Sequence, residues 1–591
     1  YTKDNAWVLA VNKIVNRYFP VRTDIVISQL KEEGLLPSVS APVFTKNSIP
    51  VVDEQSEFSP SEILSISNTS GGGSIKYTLD GKDPRLTGGG VAPSAVDGAS
   101  LVNISVLQTC IVKARVLNNG NWGALRELKI FVDEQTAGIQ ITEIHYNPLS
   151  YSGISGNEYE FLELKNNSPL PVNLTASKFI DGIQFSFNNE TILEPGGFIV
   201  IASSAFSFNR LYGFQPFGEY EGQLDNKGER ITMVNLVGDT IITLKYNDKA
   251  PWPTSPDSLG FSLVPAVDDI GADWSDGANW RASSAIGGSP NADDPFIAIQ
   301  PVLISEVLTN PGSTSVDAIE LYNPNSTAAE IGGWYLSDSR KTPKKWKIPA
   351  GTRIPANSYL VFNEGHYQGS TLAYNTNEFG QAFGLSSNGD DIYIFSANAT
   401  EALTGYEHGF DYGAIEEGVT FGRYINSLGK EHFVAQTSST LGARNSNPRV
   451  GPIVFNQIMY NPQSDQYEYL ELVNISGQDV KLFHEQELTP WKVEGINFSF
   501  PTNVTLKPGQ SVYLVESRIA PNDFRYFFNL DAETKVYNFD GSLKNEGEEI
   551  TLFKPASQYV EDNIPVTPYI RIDKVDYNDN ENWPDADGNG Y

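Results

Sequence analysis

A chain of 591 residues exceeds what one hydrophobic core supports, since single cores stop growing near about 250–300 residues, so several domains are required. With 72 acidic against 41 basic residues the formal charge is −31, which excludes phosphate-driven nucleic-acid binding because that needs a basic footprint. No run of about 18 apolar residues exists to span a membrane as a helix, and a lone cysteine, Cys110, excludes an intrachain disulfide and a cysteine-ligated zinc site.

Residues 1–40 read as helical. Trp7, Val11, Ile14 and Tyr18 recur at one-face spacing; Pro20 is expected to end that run, and Thr23-Asp24 to cap a second helix that carries Ile27 and Leu30 and stops at Gly34. Helices this short need a partner surface. Lacking an initiator Met or a signal peptide, the sequence reads as a fragment of a longer protein.

From Ala41 onward, short runs rich in Val, Ile, Thr, Tyr and Phe alternate with Gly, Pro, Asn and Asp clusters, the pattern of β-sandwiches. Residues 41–136 form a first unit. In it Ile75–Leu79 meets Asp80-Gly81, which predicts a two-residue hairpin, and Cys110 sits in an alternating stretch that predicts an inert core thiol. The expected fold is therefore mainly β, tandem sandwich domains preceded by a short α-helical segment.

The rest of the chain is written three times. Ile141-Thr-Glu-Ile-His-Tyr-Asn-Pro148 returns as Ile304-Ser-Glu-Val-Leu-Thr-Asn-Pro311 and as Phe455-Asn-Gln-Ile-Met-Tyr-Asn-Pro462. Each is followed by Glu-Leu-x-Asn, at 163–166, 320–323 and 471–474, and by a Gly turn before an alternating strand, at Gly228, Gly389 and Gly547. So long a step is a whole-domain duplication, because solenoid and propeller units repeat at roughly 20–50 residues. The copies occupy residues 137–296, 297–450 and 451–591.

These markers, with Gly333-Trp-Tyr-Leu-Ser-Asp338 and the closing Ser289-Pro-Asn291, resemble the lamin tail domain, whose members are immunoglobulin-like β-sandwiches. The third copy stops before a counterpart of Phe261-Ser-Leu263 and its closing segment, so it is expected to be C-terminally incomplete. Tyr77–Arg85 with Val112–Val116 and Trp122 resembles the sandwich at the C-terminus of chitobiases and hexosaminidases. Gln29–Pro37 and Ala41–Phe44 resemble the tail of a CotH-type protein kinase domain, from which no catalytic residue is carried over. Together these resemblances imply a bacterial, exported, non-catalytic protein at the cell surface. Its role would be a scaffold or adhesive spacer that binds surface polysaccharide, extracellular matrix or other surface proteins. The alternatives are the accessory region of a CotH-like kinase and a calcium-dependent surface assembly protein.

Candidate chemistry is sparse. Glu143, Glu163, Glu306, Glu320 and Glu471 recur, and two in one cleft about 5–10 Å apart would serve acid/base work. Recurrence in tandem copies points instead to a role in the fold, such as turn hydrogen bonds. The five histidines do not fall at metal-ligand spacing. Trp334 and Trp491 have no Trp partner in the first copy, where Phe179 lies near that place, so this position reads as core. Asp585, Asp587 and Asn589 in Asp585-Ala-Asp-Gly-Asn-Gly590 match the first half of a calcium loop, and calcium is the only cofactor considered.

Overall fold

The computed structural model describes residues 7–579 apart from 60–61, 107–108, 133–137, 189–190, 237, 314, 368–381 and 464–466. The candidate calcium loop lies outside the described residues. The chain divides into two compact units, residues 1–295 and 296–591.

The N-terminal helix is continuous where a break at Pro20 was expected. Val8–Lys13 passes through a π-helical turn, Ile14–Tyr18, into an α-helix over Phe19–Glu32. A widened turn immediately before Pro20 relieves the clash its ring would make with the carbonyl one turn back. Gly34, at φ +65°, ends the helix as expected, with the Leu35 N–H bonded back to the Leu30 carbonyl. Trp7, Ile14, Tyr18, Ile27 and Leu30 are all exposed, so no described residue covers this apolar face.

A first sandwich follows. Ile49–Pro50, Val43–Lys46, Ile63–Ser67 and Leu101–Ser105 form one sheet. Gln55–Phe58, Arg126–Val132, Cys110–Asn118, Ser74–Thr78 and Val96–Gly98 form the other. Cys110 starts a strand of strictly alternating burial and packs inward with Leu64, Ile75 and Ile130, as an alternating strand dictates. The hairpin at Asp80-Gly81 is not formed. The turn exists, with Gly81 at φ +73°, but Thr78 hydrogen-bonds the Lys82 carbonyl and Asp80 bridges Ile111, so the chain leaves the sheet and the strand after the turn pairs only at Val96–Gly98.

Each of the three later copies packs two sheets around an apolar core. The opening strands are Ile139–His145, Leu303–Leu308 and Ile453–Met459. Each pairs antiparallel with the Glu-Leu-x-Asn strand, and in each a bulge falls at the same place, Ile141/Glu143, Ile304/Glu306 and Phe455/Gln457. In the first two copies a late strand, Leu263–Pro265 or Phe421–Ile425, pairs on the other side of the opening strand. The third has no such neighbour among the described residues, and its opening strand ends the sheet. Within the second unit, copies two and three touch: Ala414 bridges Ile570, Arg571 donates to the Phe433 carbonyl at 2.7 Å, and Glu416 pairs with Lys554.

Trp334 and Trp491 are core residues. Their counterpart in the first copy is Ser177 rather than Phe179. The carbonyls of Ser177, Trp334 and Trp491 each accept the N–H of the strand that turns back on them, from Phe187, Ile348 and Phe500. The first copy concentrates its indoles elsewhere, with Trp252 stacked on Trp280 at 5.9 Å and Trp274 edge-on to the same ring.

Candidate functional site

The recurrent glutamates form cross-strand pairs. Glu143 faces Glu163, Glu306 faces Glu320, and Gln457 faces Glu471. Buried carboxylates need donors, and in the first two copies the backbone donors come from the closing segment. Glu143 accepts the Ser289 N–H at 2.9 Å and the Ser262 hydroxyl, while Glu163 accepts the Asn291 N–H and, at 2.7 Å, the Thr142 hydroxyl. Glu306 accepts the Thr440 N–H at 2.8 Å and its hydroxyl at 2.6 Å, and Glu320 accepts the Gly442 N–H. Each glutamate pair thus staples a strap, Ser289-Pro-Asn291 or Thr440-Leu-Gly442, across the sheet.

Burial pushes the Glu143 carboxyl up to about 8 and those of Glu163 and Glu320 up to about 7. Such shifts can mark a catalytic acid. Here each of these three carboxyls accepts an N–H from the strap, from Ser289, Asn291 or Gly442, and the fold role expected from recurrence is the one observed.

The asparagine of Glu-Leu-x-Asn is fully buried in all three copies. Asn166, Asn323 and Asn474 each donate to carbonyls on two segments (Leu170 and Leu193, Thr327 and Ile354, Gln478 and Leu506) and accept an N–H two residues on. A further recurrent acid was missed from sequence. Glu160, Asp317 and Glu468 stand three residues before each Glu-Leu-x-Asn, and Glu160 and Glu468 cap the Leu224 and Leu543 N–H groups at 2.9 and 2.7 Å. The longer phrase Asp/Glu-x-x-Glu-Leu-x-Asn would have revealed it. Among the described residues no group of three or more His, Cys, Asp or Glu could hold a metal ion, and no helix is long and apolar enough to cross a membrane.

What the copies do not share is a groove of about 450 Å³ on the second, lined by Tyr322, Tyr359, Arg423, Arg444, Asn445 and Asn447 among others. Tyr322 and Tyr359 are register partners on adjacent strands and stack at 4.8 Å and 28°. The strap walls the groove, with Asn445 held by the Ser305 and Arg423 carbonyls at 2.9 and 3.0 Å. Arg423 pairs with Glu431. The corresponding register pairs are Lys165 with Phe198 in copy one and Val473 with Ser511 in copy three.

Tandem β-sandwiches, two of them closed by straps hydrogen-bonded to buried glutamates, define a structural multidomain protein. The Lamin Tail Domain model matches residues 133–248, 297–409 and 446–564, more than half of the chain, and the chain belongs to that family. No curated protein matches it. Among solved structures, it is similar to the Pseudomonas aeruginosa CupB2 chaperone at 13% identity, over 33% of this chain and 98% of that one. The TM-score of 0.14 leaves that likeness without weight.

Proposed function

We propose that this chain is an exported bacterial surface scaffold whose tandem sandwiches hold one ligand-binding face, on the second lamin tail copy, toward polysaccharide or matrix. The observation that carries the reading is the contrast within the repeat. Shared acids are consumed in stapling the fold, whereas the groove at Tyr322 and Tyr359 belongs to a single copy. Concave sites with aromatic walls and a few polar groups are the usual form of ligand sites. A solid-phase screen of the whole chain against polysaccharides and matrix proteins tests it. Retention on a subset is expected, and uniform failure by folded protein would leave only a spacer.

The exposed apolar helix over residues 8–32 favours a second reading, in which residues 1–40 end a CotH-type kinase domain, residues 41–136 are a chitobiase-type sandwich and the whole is that kinase's accessory region. Phosphoryl transfer by the full-length protein, lost on mutating an upstream lysine, would support it, and inactivity would dispose of it. Calcium at Asp585, Asp587 and Asn589 is proposed only as a stabiliser; an unchanged melting temperature on chelation would remove it.

A further inference from the structure

The strap changes sign between the first and second copies. Because Ser289 corresponds to Thr440 and Asn291 to Gly442 through the glutamates they bind, Asp293 corresponds to Arg444. In the first copy this position is answered internally: Lys165 reaches Asp293 at 2.5 Å and lies over the Phe198 ring at 5.0 Å. In the second, the strap cation faces the Tyr322–Tyr359 pair, and Arg444 has no hydrogen bond or ion pair among the described residues. Its nearness is felt by the Tyr359 hydroxyl, which burial pushes up and Arg444 draws back down. An anion that the first copy supplies to itself is therefore wanting in the second, in a chain whose formal charge is −31.

We infer that this groove binds an acidic glycan, specifically a hexuronate-type pyranose unit, a ligand class that rests on the proposed surface role. The chemistry matches part by part. A pyranose ring offers an apolar C–H face to an aromatic pair that combines large contact area with polar tips. Its carboxylate suits a guanidinium, whose fork donates to two oxygens at once. Arg423 lines the same groove but is already paired with Glu431, so its charge is balanced and Arg444 is left to take the carboxylate. The Asn445 amide is consumed in fixing the strap, so the wall is set before the ligand arrives.

The test uses the whole chain with three probes: a polyuronate oligomer, the same oligomer with its carboxyls reduced to alcohols, and a sulfated dextran. The polyuronate should bind, weakening with salt as screened charges do. Arg444→Ala should weaken it about fivefold and Arg444→Glu further, the range of exposed ion pairs. Tyr322→Ala or Tyr359→Ala should cost about tenfold, and Tyr322→Phe should retain most binding. Equal binding of the carboxyl-reduced oligomer, or polyuronate binding indifferent to Arg444→Glu, overturns the inference. So does a preference for sulfated dextran that survives both tyrosine truncations, which is nonspecific attraction. Because Arg444 lies on the exposed strap, its variants decide the matter even if a tyrosine variant unfolds. Neutral glycan or matrix binding that ignores all of these changes would leave the surface role standing and remove only the uronate.

Discussion

The first two lamin tail copies and the third treat the same sheet edge in different ways. In copies one and two the opening strand is flanked on both sides, and Glu143 and Glu306 are 1% and 0% exposed under the strap. In copy three the opening strand is terminal among the described residues, its acid is replaced by Gln457, and that side chain is exposed. The facing Glu471 turns to other donors: the Tyr513 hydroxyl at 3.0 Å and the Asn456 amide at 2.7 Å. Where the first two copies have Val200 and Val361, the third has Tyr513. A buried carboxyl is thus retained where backbone donors satisfy it and replaced or re-satisfied where they do not.

The comparison breaks first at Glu306→Ala. That change leaves the Thr440 N–H without its acceptor and its hydroxyl with only the 3.4 Å contact to Gln436, and should cost about 2–3 kcal/mol. Gln457→Ala, at an exposed site, should cost under about 0.5 kcal/mol. Hydrogen exchange at Thr440 and Gly442 reads the first, and exchange along Ile453–Met459 the second. Equal losses would mean that the strap is not what distinguishes the copies.

pH offers a second handle. Glu143, Glu163 and Glu320 have their carboxyls raised by burial, to about 8, 7 and 7. A raised acid stabilises the folded state fully below its unfolded value of about 4.5 and loses that contribution as pH climbs through the folded value. Strap protection should therefore fall between pH 5 and pH 8, by on the order of 1–3 kcal/mol. Glu143→Gln, the kind of residue copy three already carries at Gln457, should flatten the fall at Ser289 and leave it intact at Gly442, which Glu320 holds. A smaller effect is expected of Tyr513→Phe, which removes one donor from Glu471 and should cost about 1 kcal/mol in copy three. A neutral result there would mean that Asn456 alone suffices.

The sandwiches, their triplication and the structural purpose of the recurrent acids were legible because period-2 burial and repeated markers are local signals. Three features were not. Pro20 signals a stop in sequence, yet its effect depends on whether the preceding turn can widen. Asp80-Gly81 has the turn chemistry of a hairpin, yet the pairing partner is chosen by the whole sheet. The groove escaped because Tyr322, Tyr359 and Arg444 are far apart in sequence and carry no motif. Only the strap's register, set by Glu306 and Glu320, gives Arg444 the place that Asp293 holds in the first copy and sets it beside the tyrosines.

The smallest expected effect probes that register. Lys165 and Asp293 pair at 2.5 Å, but the Asp293 side chain is 73% exposed, so solvent screens the pair. Asp293→Asn should therefore cost under about 0.5 kcal/mol and be invisible in high salt, as exposed ion pairs generally are. Its value lies in the companion change Asp293→Arg, which gives the first strap the second one's charge opposite Lys165 rather than a tyrosine. Two cations would then repel across the same gap, so strap exchange in the first copy should rise at low salt and recover on adding salt. If Asp293→Arg is silent at every ionic strength, the two positions are not sterically equivalent, and charge at the strap is set by exposure alone.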